Sequence, residues 1–191
     1  MSAESDIWAV VVAAGGSNRL GKPKQALELN GQTLLERAVT AAQEVVGDQV
    51  VCVLGAWQPP TPLPCHTVLH QRWRDGMASS LVAGLQEVPS AASTLITLCD
   101  QPAVGAEQLE KLLRAHRRQP ASIVAADYGD RAGVPAVFPA HLRERLLSLS
   151  GDRGARDLLS DATLAQLRVP MPEALLDIDT PGDWARLTGN A

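Results

Sequence analysis

Aromatic side chains are scarce in this chain, with one Phe, one Tyr and four Trp. The interior must therefore be filled mainly by Ala, Val and Leu. Long apolar runs are missing too. The longest, Ile7–Ala14, has eight residues, against the roughly 20 that a membrane-spanning helix needs. The acidic start MSAESD has neither the basic segment nor the apolar stretch of a signal peptide, so a cytoplasmic location is expected. Three cysteines, Cys52, Cys65 and Cys99, form no CxxC or Cys/His cluster and read as reduced thiols, two of them packing as small hydrophobes. Positive charge is not in excess either. A formal net charge of −4 argues against a nucleic-acid coat and against a polybasic membrane binder. GxSxG and HExxH are absent, and His66, His70, His116 and His141 lie in no loop with a partnering Ser, Cys and acid. Hydrolase-type nucleophilic catalysis has no visible machinery.

What is present is ample apolar material. Of 191 residues, 46% are hydrophobic and 20% charged, which suits one domain over residues 1–191. Short β-branched runs alternate with helix-period segments. Ile7–Ala14 reads as a strand buried on both faces. Thr33 and Glu36 have capping-box spacing ahead of a helix to Val46. Further strands are expected at Gln49–Leu54, His66–Leu69, Thr94–Cys99, Ser122–Ala126 and Val134–Phe138, the last two joined by a Gly/Asp turn. Helices are expected at Ala78–Val88, Glu107–Arg118, His141–Ser148, Ala155–Ser160 and Pro181–Leu187, with extended segments at Gln166–Val169 and Leu175–Ile178. This alternation predicts a three-layer α/β fold with a mainly parallel sheet. In such folds ligands bind beyond the carboxyl ends of the strands.

Two of those places are chemically loaded. After the first strand comes GGSNRLGKPK, Gly15–Lys24. Its glycines permit close backbone approach, and Arg19, Lys22 and Lys24 bring three cations with no acid between Asp6 and Glu28. Exposed amides beside guanidinium and ammonium groups can grip a polyphosphate. Gly16–Lys22 satisfies GxxxxGK, but Pro23 stands where a P-loop needs a hydroxyl for Mg²⁺. The small P-loop kinase reading fails there. After the Thr94–Cys99 strand comes Asp100-Gln101-Pro102, a carboxylate at a strand end. Near the C-terminus, Asp177, Asp179 and Asp183 form a second acid cluster. Alternation sets Asp177 and Asp179 on one side of an extended segment with Ile178 on the other. Asp183 belongs near the start of the last helix. A Mg²⁺ ion commonly takes one or two carboxylates plus phosphate oxygens and water, so Asp100 with one of Asp177 and Asp179 would serve.

AAGGSNRLGKPKQAL (Ala13–Leu27) and LCDQP (Leu98–Pro102) resemble motifs of the MobA-like nucleotidyltransferases, in particular the molybdenum cofactor cytidylyltransferases. So do GMASSLVAGL (Gly76–Leu85), GVPAVF (Gly133–Phe138), GDRGARDLL (Gly151–Leu159) and DIDTPGD (Asp177–Asp183). Together these matches span residues 7–187. The resemblance implies a Rossmann-like nucleotidyltransferase fold with a mixed sheet. It implies that Ala13, Ala14, Gly15, Gly16, Ser17, Arg19 and Lys24 wrap the triphosphate of an NTP, with Ser79 and Ser80 near base and ribose. It also implies Arg19, Lys24 and Asp100 as catalytic residues and Asp100 and Asp179 as Mg²⁺ ligands. Gly133–Phe138 would lie near the second substrate, where Val134 replaces the polar residue of many members, and Arg153 and Arg156 would attract an anionic co-substrate. The implied reaction transfers CMP from CTP to the phosphate of a molybdopterin-type molybdenum cofactor and releases pyrophosphate, with a molybdoenzyme as client. The Ala13-Ala14-Gly15 triplet looks like the cytidylyl branch. A guanylyl- or sugar-phosphate nucleotidyltransferase and a non-catalytic cofactor-binding module are the competing accounts.

Overall fold

The computed structural model describes residues 6–189, and the acidic start over residues 1–5 lies outside them. One seven-stranded sheet forms the centre. Its strands are β1 (Ile7–Ala13), β4 (Val50–Leu54), β5 (His66–Leu69), β6 (Ser93–Leu98), β7 (Ile123–Asp127), β8 (Ala132–Phe138) and β9 (Gln166–Pro170), in the order β5-β4-β1-β6-β8-β7-β9. The pairs β5–β4, β4–β1, β1–β6 and β7–β9 are parallel. Strand β8 runs antiparallel to both its neighbours. The short 128–131 connection forces that reversal, since parallel neighbours need a long crossover.

β1 explains the layering. Ala9, Val11 and Ala13 enter one apolar cluster while Val10 and Val12 enter the other, the two-face burial expected of a central parallel strand. The first cluster holds α1 (Leu34–Val46) and α3 (Ala106–Arg118) through Leu35, Val39, Leu109 and Leu112. The second holds α2 (Met77–Gln86), α4 (Arg143–Leu147) and α5 (Arg156–Leu159) through Leu81, Leu85, Leu146 and Leu158. The layers are thus helix, sheet, helix. Thr33 caps α1 through the capping box with Glu36 that the spacing predicts.

A third, smaller cluster matters most for the site. Leu20, Leu27 and Leu34 pack with Ile178 and with Trp184 of α6 (Pro181–Thr188). It ties the loop after β1 to the far end of the chain. Two local expectations are corrected. Pro172–Leu175 forms a 3-10 turn, so Leu175 closes a turn instead of opening an extended segment; Pro at the first position favours that turn. Glu28–Leu29 (β2) and Gln32–Thr33 (β3) make a small antiparallel hairpin around Asn30 and Gly31, at φ 55° and 80°. Its two-residue strands are too short to show alternation. Cys52 and Cys99 are buried and Cys65 is half-buried, all as free thiols. Among the described residues no helix is long and apolar enough to cross a membrane.

Candidate active site

The loop leaving β1 is held in shape by its own polar side chains. Gln25 is buried, and its Nε2 donates to Ala13 O at 2.7 Å and Gly15 O at 2.8 Å. Ser17, at φ 52°, accepts from the Lys24 amide at 3.0 Å, and its hydroxyl lies 3.4 Å from Gln25 Oε1. These bonds fold the loop back so that Lys24 starts a 3-10 turn (Lys24–Ala26) with its side chain directed at the end of β6.

There the charges converge. Lys24 Nζ donates to Asp100 Oδ2 at 2.7 Å and to Asp179 Oδ1 at 3.0 Å. Arg19 donates to the other oxygen of Asp179 at 2.8 Å. The backbone makes this meeting possible: Ile178 N donates to Asp100 O at 2.9 Å, and the Ile178 side chain is fully buried in the third cluster. With Ile178 inward, Asp179 reaches Lys24 and Arg19, while Asp177 lines a neighbouring cavity. The two acids therefore have different surroundings, Asp179 beside two cations and Asp177 on a cavity wall. Asp183 sits in the first turn of α6 and forms a capping box with Thr180, as its spacing predicts.

Electrostatics follow from the contacts. Burial alone would lower the Lys24 ammonium, but the Asp100 and Asp179 carboxylates override it and hold the group at about 12. Burial opposes the charge of Asp179, yet Lys24 and Arg19 keep its carboxyl below the usual range. Asp177 is pushed up to about 6, by burial first and then by the nearby Asp100 carboxylate. Arg19 is largely exposed, its guanidinium held by the ion pair with Asp179.

Two cavities flank this centre. The larger, about 570 Å³, is lined by Ala13, Ala14, Gly15, Lys24, Ser80 and Asp100, among others. The smaller, about 140 Å³, is lined by Gln101, Tyr128, Arg131, Arg153, Arg156 and Asp177 on its polar side. Val12, Met77, Leu98 and Asp152 line both. The 151–156 segment closes over the start of α2: Ala78 N donates to Gly151 O at 3.0 Å. Gly76, at φ +107°, lies so close that a Cβ there would come 2.5 Å from that same oxygen.

Not every residue singled out by sequence reaches the larger cavity. Ser80 does, but Ser79 turns away: its hydroxyl donates to Gly76 O at 2.8 Å and meets His70 Nε2 at 3.0 Å, lining a separate surface hollow. Gly16 and Ser17 shape the loop without lining the cavity. Sequence reasoning passed over Asn18, Trp73, Arg74 and Asp152, all of which line it. Trp73 carried a signal, as one of so few aromatics, and the Arg74 guanidinium stands 4.3 Å from its ring centroid.

The residues fit a divalent cation. A single cationic nitrogen already touches both Asp100 and Asp179, and Asp100 Oδ1 is buried with no hydrogen-bond partner among the described residues. No group of three or more His, Cys, Asp or Glu side chains suited to a metal occurs among those residues. A pair of carboxylates is what Mg²⁺ takes when phosphate oxygens complete its shell.

Residues 9–168 match the family model described as a MobA-like NTP transferase domain. The chain is 36% identical over 169 residues to the nicotine blue oxidoreductase of Paenarthrobacter nicotinovorans, covering 80% of this chain and 81% of that one. It is 32% identical over 142 residues to a probable molybdenum cofactor guanylyltransferase of Opitutus terrae, covering 73% and 70%. Rv0371c of Mycobacterium tuberculosis superposes with a TM-score of 0.81 at 29% identity, over 98% of this chain and 100% of that one. The same protein has been solved as a complex with manganese, which superposes at 0.76 and 26% identity over the same shares.

Proposed function

The chain belongs to the MobA-like NTP transferase family, and from that premise we propose that it transfers CMP from CTP to the phosphate of a molybdopterin-type molybdenum cofactor, releasing pyrophosphate. One observation carries the reading: Lys24, from the loop after β1, meets Asp100 and Asp179, which lie 76 and 155 positions away. Two acids sharing one cation beside a cavity of about 570 Å³ are the equipment of a metal–triphosphate site. Ala13-Ala14-Gly15 line that cavity, and their likeness to the cytidylyl branch favours CTP. The manganese complex of Rv0371c supports a divalent cation, for which Mg²⁺ on Asp100 and Asp179 is the proposal.

The chemistry asks for little more. An acceptor phosphate is already ionised near neutral pH and needs no general base, only alignment and charge neutralisation. When bound, the divalent cation would neutralise phosphate oxygens. Ala13–Ser17 place the loop that surrounds the triphosphate, and Ser80 stands on the cavity wall for base or ribose. Lys24 and the exposed Arg19 supply positive charge where it is needed most, at the α-phosphorus and on departing pyrophosphate. The smaller cavity, across the wall formed by Met77 and Asp152, receives the acceptor, with Arg153 and Arg156 facing its anionic end.

Pyrophosphate release measured across the four NTPs, with molybdopterin-type cofactor as acceptor, tests the proposal. Turnover is expected with CTP and Mg²⁺, and turnover with GTP alone would overturn the choice of base. Lys24→Ala is expected to slow turnover about 10²–10³-fold, equivalent to roughly 3–4 kcal/mol of barrier. Near-normal turnover of that variant would defeat the assignment of Lys24. Tight cofactor binding with no pyrophosphate formed would favour the non-catalytic module.

A further inference from the structure

The larger cavity has a cation on its wall with no acid of its own. Arg74 lines it together with Gly15, Asn18, Lys24 and Asp100. Its side chain is exposed and makes no hydrogen bond or ion pair with the described residues. Asp75, the next residue, is already engaged by Arg72, whose Nε donates to Oδ2 at 2.7 Å. Lys24 and Arg19 differ from Arg74 in this respect. Their charges are matched by Asp100 and Asp179, two cations against two carboxylates. Asp152 adds a further acid to the same wall. A triphosphate with one divalent cation still brings an excess of negative charge. It calls for positive charge that the protein's own acids have not taken.

Trp73 gives that cation a fixed seat. The Arg74 guanidinium stands 4.3 Å from the centroid of the indole. The outer edge of the indole lies against the backbone of Gly16, where a Cβ would come 2.8 Å from Trp73 Cη2. The other end of the side chain lies against Gly55, just past β4, where an added Cβ would come 2.9 Å from Trp73 Cβ. Two glycines from two strand-end loops thus clear the space for one indole. Gly16 belongs to the loop that the proposed function wraps around the triphosphate, so the indole joins Arg74 to the phosphate end of the cavity. Stacking restrains a long side chain and reduces the entropy lost when it binds. The flat fork of donors on a guanidinium suits two phosphate oxygens at once.

We propose that Arg74 is a further nucleotide-binding residue, gripping the β- and γ-phosphates that depart as pyrophosphate. Trp73 is a positioning residue, acting by seating the guanidinium against the loop after β1. This inference rests on the reading that the larger cavity takes the nucleotide, and deepens it.

The test uses the full chain and compares CTP with CMP by calorimetric titration in the presence of Mg²⁺. GTP and GMP are run alongside, so that the choice of base does not decide the result. Each pair differs by the two phosphates assigned to Arg74. In Arg74→Gln the triphosphate is expected to bind at least about tenfold more weakly and the monophosphate to change by less than about twofold, because only the former loses charge-assisted hydrogen bonds. Arg168→Gln, on the edge strand β9, removes the same charge elsewhere and is expected to leave both affinities unchanged. Trp73→Leu is expected to lose part of the triphosphate's advantage, with a cooperative melting transition as the check that it folds. An undiminished advantage in Arg74→Gln would overturn the inference, as would equal weakening of both nucleotides or the same loss in Arg168→Gln. Full advantage in a folded Trp73→Leu would remove the indole from its role; should that variant fail to fold, Arg74→Gln decides alone. Pyrophosphate release keeps the two readings separate. Release with an advantage that does not depend on Arg74 removes Arg74 and leaves the transfer reaction, whereas an Arg74-dependent advantage with no release from any NTP does the reverse.

Discussion

Gln25 shows how much a single buried amide can determine. Its Nε2 serves Ala13 O and Gly15 O together, so it sets the spacing of the loop's entry. Gln25→Leu would keep the volume but leave the buried Ala13 carbonyl without this donor, while that of the exposed Gly15 can turn to water. The expected cost is roughly 1–3 kcal/mol of stability for one unsatisfied buried group, visible as a lower urea midpoint, together with weaker CTP binding in a titration. Of the charged residues proposed for the site, Arg19, Lys24 and Asp100 stand out in the sequence because charge at the end of an apolar strand or inside a glycine loop has few bland explanations, whereas Asp179 is preferred to Asp177 only through the family resemblance. Gln25 does not stand out. An amide has duties anywhere in a protein, and only its tertiary partners reveal which one it performs.

His116 makes a different single-residue point. It is buried, with Nε2 3.0 Å from Ser93 Oγ, and burial lowers its pKa below the ordinary 6.5. The unfolded chain therefore takes up a proton near pH 6.5 that the native protein refuses. Stability from this group is complete above that pH and is lost as pH falls through 6.5 toward the lower native value. Denaturant unfolding at pH 8 and at pH 5 is expected to show the loss, and His116→Gln to reduce it.

Among the elements, α6 has the most direct link to chemistry. Asp183 Oδ2 accepts from Thr180 N at 2.7 Å and from Asp179 N at 3.1 Å, while Thr180 Oγ1 accepts from Asp183 N at 3.2 Å. One capping box thus both starts the helix and pins the backbone of Asp179. Thr180→Ala is expected to cost about 1 kcal/mol in thermal unfolding and, because Asp179 loosens with the cap, to raise the Mg²⁺ concentration needed for half-maximal turnover. The capping residues and most strands and helices could be read from spacing. The place of β8 between β6 and β7 could not, because sheet order depends on which faces remain to be covered once the parallel half is built. The extended segment expected at Leu175–Ile178 overlaps the Pro172–Leu175 turn only at Leu175, and nothing in the spacing of residues 172–174 marks that turn apart from Pro172.

At the scale of the molecule, the acidic chain collects its charges of both signs at the carboxyl end of the sheet. There Lys24 touches both Asp100 and Asp179, and Arg19 touches Asp179. A ligand bound only by the folded form raises stability by about 2.7 kcal/mol at a hundred times its dissociation constant. CTP with Mg²⁺ is therefore expected to raise the melting temperature, and a chelator to remove most of the increment. Strand–helix alternation made this convergence foreseeable in outline, since it directs every strand-end loop to one rim. The division of that rim into two compartments, with Lys24 and Asp100 lining one and Asp177 the other, is a property of the packed structure.

The bridge made by Lys24 also dictates an order of arrival. At rest the two carboxylates already have a counter-ion built into the chain, so a bare divalent ion must compete with an ammonium group that cannot diffuse away. Polyphosphate offers that ammonium a better partner and unlocks the acids. Calorimetry is expected to find Mg²⁺ alone a poor ligand and Mg²⁺ with CTP a good one, with Lys24→Ala narrowing the gap by admitting the lone ion. On the proposed function, the lysine would act as a tenant that leaves only when the nucleotide comes in.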